Sequence, residues 1–149
     1  MNSKQTILVS LGIVILNNLI GHFFAPYGII LTPIVVSILA ILICLKNKGL
    51  NPILKSLILT SLIAIHDIGI KLFAGGQHDY EGLGFIHGIL FIGLIPTFII
   101  LITSIVKDKE SSILNKIIAI LLFPLIIYLH LELFGELGIG RYYWYGWNG

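Results

Sequence analysis

Apolar residues along the chain fall into five long runs, separated by short stretches where Gly, Pro, Asn and charged residues gather. The runs cover about Gln5 to Phe24, Gly28 to Leu45, Ile53 to Ala74, Phe85 to Val106 and Ile113 to Phe134. Each holds roughly 18–22 residues, the length that crosses a hydrocarbon core of about 30 Å at ~1.5 Å per residue. Leu and Ile continue round every face, without the two-residue alternation of a membrane barrel. Backbone groups in lipid must also be bonded within their own segment. The pattern therefore predicts an all-α polytopic integral membrane protein: one domain over residues 1–149, built as a five-transmembrane-helix bundle. The first run follows Lys4 in the manner of a secretory signal. Its apolar core is long, however, and the bulky Gly21-His22-Phe23-Phe24-Ala25-Pro26 stretch offers no cleavage site, so it is expected to remain as a span.

Composition supports this reading. Hydrophobic residues make up 57% of the 149 residues and charged residues 11%, with a mean hydropathy of +1.03. A soluble domain carries about 25% charged residues, and a disordered chain needs high charge and low hydrophobicity. Both classes are excluded. The net charge of +2 is too small to suggest a nucleic-acid partner. A single cysteine, Cys44, leaves no intramolecular disulfide and no Cys-based zinc site.

Basic residues set the expected direction. Lys4, Lys46, Lys48, Lys55, Lys107, Lys109 and Lys116, seven of the nine, lie before span one or between spans two and three or four and five. With five spans these places share one side, which the positive-inside rule makes cytoplasmic. The N-terminus is expected inside and the C-terminus outside, in the cell membrane.

Polar groups then collect at the other side. All five histidines (His22, His66, His78, His87 and His130) and the acids Asp67, Asp79, Glu81, Glu132 and Glu136 fall in the outer half or the outer loops. Asp67 lies seven residues before Ala74, roughly 10 Å below the outer end of its span. A carboxylate at the membrane centre costs about 2.5–3.5 kcal/mol on insertion scales, which marks it as a candidate site. The plainer reading pairs it with Lys71, four residues on and on the same helix face. Between spans three and four, Gly75 to Gly84 reads as a glycine-rich loop in which His78, Asp79 and Glu81, with His87, offer four ligands within ten residues. Zinc, iron or manganese accept such mixed sets, although the spacing matches no standard motif. An acidic solvent loop is the plainer alternative. Glu132 and Glu136 share a face at the end of span five, with His130 turned away from them.

Other features carry less. Asn18 and His22 form a polar stripe near the outer end of span one, where such groups bridge helices. Pro96 and Pro124 interrupt spans four and five and are expected to bend them. Gly84-x-x-x-Gly88 suggests close approach of a neighbouring helix. The aromatic tail from Tyr142 to Trp147 reads as an interfacial belt, with Arg141 able to meet a phosphate or carboxylate. No phosphate-binding loop and no GxSxG elbow occur.

The leading expectation is a membrane enzyme with a His/carboxylate site opening to the non-cytoplasmic face, acting on a lipid or other amphipathic substrate. His66, His78, His87 and His130 would hold a divalent metal. Asp67, Asp79 or Glu81 would complete its shell or act as base, while His22, Glu132, Glu136 and Arg141 would bind substrate. A proton- or cation-coupled transporter, or an accessory subunit of a membrane complex, is the alternative. A b-type haem gripped by His66 and His130 is a third. Membrane lipids are the expected partners, with a second copy of the chain or a membrane complex as further candidates. A histidine-centred site is also expected to lose activity on external acidification.

Overall fold

A computed structural model describes residues 2–47, 49–75 and 79–139. These residues are helical, with no strand among them. Helix α1 (Ser3–Phe23) starts at a reciprocal cap: Asn2 accepts from the Gln5 backbone N–H, and the Gln5 side chain accepts from the Asn2 N–H. A short α2 (Tyr27–Ile30) leads into α3 (Thr32–Ala40), whose last turn widens into a π-helical segment, Ile41–Lys46. Asn51 caps α4 (Pro52–Phe73), Asp79 caps α5 (Tyr80–Lys107) and Ser112 caps α6 (Ile113–Phe134).

Helices α1, α4, α5 and α6 are long and apolar enough to cross a membrane. Thr32–Lys46 forms a shorter apolar helix, so the expected second run is present in pieces. Pro33 explains the interruption, because it lacks the N–H that would bond to the preceding turn. The α5 start also differs from expectation, since residues 80–84 are helical and not loop. Asp79 Oδ1 accepts from the Gly82 N–H at 2.7 Å and begins the helix five residues early. Pro96 and Pro124 are contained within continuous helices.

Side-chain and backbone bonds fix the helix directions. At one end Ser3 Oγ donates to Asn47 Oδ1 (2.9 Å), Lys55 to Ser104 (3.0 Å), and Ser56 Oγ to the Ala119 carbonyl (2.7 Å). At the other, the Gly75 N–H donates to the Gly21 carbonyl (3.3 Å) and Lys71 Nζ to the Phe134 carbonyl (3.1 Å). Successive arms therefore run in opposite directions. The core between them is apolar, with Val36, Leu39, Ile63, Leu90 and Leu101 fully or almost fully buried. The outer faces are also apolar, as Leu8, Ile95, Leu121 and Leu133 are each more than 60% exposed. A water-facing monomer does not display hydrophobic surface on this scale. The four long helices suit a membrane protein.

Close approach occurs elsewhere than expected. A Cβ on Gly84 or Gly88 would meet nothing within 4 Å, so that pair seats no helix among the described residues. Gly28 instead abuts the Gly21 backbone, and a Cβ on Gly93 would lie 2.7 Å from Pro33 Cα.

Candidate functional site

Helix α4 carries Asp67 and Lys71 one turn apart on the face that packs against α6. Asp67 is 2% exposed, Lys71 1% and His130 6%. Asp67 Oδ2 accepts from Lys71 Nζ at 2.5 Å and from His130 Nε2 at 2.7 Å. Lys71 also donates to the Phe134 carbonyl in the last turn of α6, which accepts from the Leu137 N–H as well. The His130 ring stacks on Phe134 with centroids 5.5 Å apart. After α6 the chain folds back over Lys71. Gly138 has φ +96°, and the Lys71 carbonyl occupies the space a Cβ would take, so glycine is required there.

One carboxylate oxygen thus satisfies both an ammonium and an imidazole. Among the described residues the other, Oδ1, is buried with no partner. The charges of Lys71, Asp67 and His130 act on half-buried His87, on α5, whose buried Nε2 is likewise unpartnered among the described residues. With His130 neutral the three groups sum to zero charge. Adding a proton makes the sum +1.

His66 points elsewhere. Its Nε2 lies 2.8 Å from Asn17 Nδ2, and the same amide nitrogen donates to the Gly28 carbonyl at 2.8 Å. An amide oxygen in that place would face the carbonyl, so the nitrogen assignment is fixed. His66 Nε2 must then accept, and the ring is neutral with its hydrogen on Nδ1. Asn17 joins α1, α2 and α4, a role the sequence reading had not given it.

The remaining candidates are dispersed. Asp79 turns its carboxylate onto its own helix start, and Glu81 is exposed in the first turn of α5. His22 is exposed at the end of α1, where its Nδ1 donates to the Phe73 carbonyl at 2.9 Å and its ring meets Phe23 edge-on. Glu132 and Glu136 are exposed and line an open depression with Leu131 and Leu137. His78, Arg141 and the aromatic tail lie outside the described residues. Among the described residues no three His, Cys, Asp or Glu side chains are grouped to hold a metal ion. The expected histidine cluster is divided: His66 faces α1, while His130 is bonded to Asp67.

Polar groups missed in the sequence run along buried faces. Ser56 and Thr60 precede Asp67 and Lys71 on one face of α4; Thr6 and Ser10 precede Asn17 on α1. Both series follow a four-then-seven spacing, which was the available signal. Lys55, expected as inner-loop charge, is only 5% exposed. The chain matches no known family, no curated protein and no solved structure at a significant level.

Proposed function

We propose that the chain crosses the cell membrane five times, with its N-terminus in the cytoplasm and its C-terminus outside. We further propose that it couples proton or cation movement to its work through Asp67, Lys71 and His130, as a transporter or as a subunit of a membrane complex. The observation that carries this reading is the shared Oδ2 beside an unpartnered Oδ1, inside the bundle. Ionisable groups in such places mark proton and ion pathways. Oδ1 has the lone pairs to take a proton or a cation, and the His130 imidazole, bonded to Oδ2, carries a second ring nitrogen able to bond another group. The alternating arms and the lysine bias support the orientation. Buried Ser56 and Thr60 continue the polar face of α4 toward the opposite end.

Reconstitution into vesicles under an imposed pH gradient tests the transporter form. Proton uptake above that of protein-free vesicles, lost in Asp67→Asn and His130→Gln, is the expected result. Affinity purification from native membranes tests the subunit form, with a constant partner whose activity depends on Asp67. Failure of both overturns the reading.

The groove between α1 and α4 favours a second reading. It has a volume of about 510 Å³ and is lined by apolar side chains together with Asn18 and His22. Such a groove suits a lipid or other amphipathic substrate. Zinc, iron or manganese, as the metal of such an enzyme, would have Asp67 Oδ1 and His87 Nε2 as unpartnered buried atoms to bond, neither of which lines this groove. Stoichiometric metal in the purified chain, lost in His87→Ala, is the expected result for that enzyme. A b-type haem has less support, because Nε2 of both His66 and His130 is bonded to another side chain.

A further inference from the structure

We infer that the end of the bundle opposite Asp67 holds a binding site for a phosphate-bearing anion, organised around Lys55. Lys55 lies in the first turn of α4 and is 5% exposed, too enclosed to be a lysine reaching out to solvent. Its ammonium donates to Ser104 Oγ at 3.0 Å, and Ser104 passes its own hydrogen to the Cys44 carbonyl at 2.6 Å. Both partners are neutral. Among the described residues no carboxylate lies within 4.0 Å of the Lys55 nitrogen. An ammonium has three hydrogens to place, and a buried charge without a counter-ion is costly.

Beside it opens a cavity of about 570 Å³, roomy enough for a phosphate group and the atoms attached to it. Lys107 and Lys109 line the cavity from the end of α5. Two acids share that wall. Asp108 is already committed, its oxygens accepting from the Glu110 and Ser111 N–H groups and from Ser111 Oγ. Glu110 is exposed. Asn51 and Lys55 bring in the N-terminal end of α4, whose dipole adds positive potential. Lys107 alone would be accounted for as a cation at a helix C-terminus; Lys55 is buried with only the more distant Asp108 carboxylate to offset its charge, and an anion in the cavity would complete that balance. Phosphate oxygens can accept from several such donors together. The group is supplied either by an anionic phospholipid headgroup or by a free phosphate compound. This inference does not depend on the proton-coupling reading.

The test uses the full chain, purified in mild detergent and stripped of lipid. Native mass spectrometry and melting temperature are read with phosphatidylglycerol, phosphatidylcholine and inorganic phosphate as probes. The expected result is phosphatidylglycerol bound about five- to tenfold more tightly than phosphatidylcholine, with the preference abolished in Lys55→Met and kept in Lys55→Arg. Binding of inorganic phosphate without lipid preference, again lost in Lys55→Met, supports the site and names the free anion as its source. Should Lys55→Met fail to fold, the double change of Lys107→Gln and Lys109→Gln is expected to weaken binding in its place. Absence of both forms of binding, or binding unchanged in the variants, overturns the inference.

Discussion

Helix α4 carries two buried lysines, and their surroundings differ in kind. Lys71 has a carboxylate, an imidazole on the same oxygen and a backbone carbonyl. Lys55 has one hydroxyl and an adjoining cavity. The same side chain therefore completes an internal charge balance at one end of the bundle and leaves it open at the other. A closed balance leaves none of its charges uncompensated. An open one needs something from outside the chain.

The sharpest way to break this comparison is to remove one partner from the closed group. Asp67→Leu or Lys71→Met alone is expected to cost about 3–5 kcal/mol, because each leaves an uncompensated buried charge. The double variant, with both charges gone, is expected to recover most of that loss. Unfolding in detergent followed by circular dichroism measures all three, and additive losses would contradict the pairing. Asn17→Leu, which strands His66 Nε2 and leaves the Gly28 carbonyl only the Thr32 hydroxyl at 3.3 Å, is expected to cost about 1–3 kcal/mol in the same assay. Lys55→Met should behave in the opposite sense to Lys71→Met, leaving the lipid-free protein unchanged or raised by less than about 1 kcal/mol. A loss comparable with that of Lys71→Met would mean the two lysines are alike.

The smallest effect concerns pH at the open end. The Glu110 backbone N–H, followed by the Ser111 hydroxyl, holds the Asp108 carboxyl below the ordinary value of 3.8. A depressed carboxylate contributes stability above its unfolded value and loses that contribution as pH falls through its folded value. The turn over Asp108 to Ser111 is therefore expected to persist from pH 7 to pH 4 and to open only below 3.8. Amide exchange at Glu110 and Ser111 reads this directly, and opening near pH 5 would contradict it.

Run length and apolarity were enough to read the long helices from the sequence, because a membrane span needs little else. Asp67 and its pairing with Lys71 were legible through four-residue spacing. His130 as the third member was not, since only the packing of α6 on α4 brings residues 63 positions apart together. The glycine density around Asp79 and Glu81 predicts a loop and hides the capping signal of Asp79. Lys55 is illegible for a related reason: a lysine near a span end looks solvated until the neighbouring α5 covers it. Ser and Thr on the inner faces are too short and too neutral to alter a hydropathy profile, so their periodicity passed unnoticed.

The placement of His130 and Phe134 at the far end of the chain has a consequence for biogenesis. Helix α4 is the most enclosed of the four long helices. Two of the groups that satisfy its charged face arrive only with α6. During synthesis, the ribosome delivers α4 with its charged face uncovered well before α6, the helix that shields it. Assembly of the earlier portion is therefore provisional, and quality control has a ready mark of an unfinished molecule: an acid and an amine still facing the bilayer.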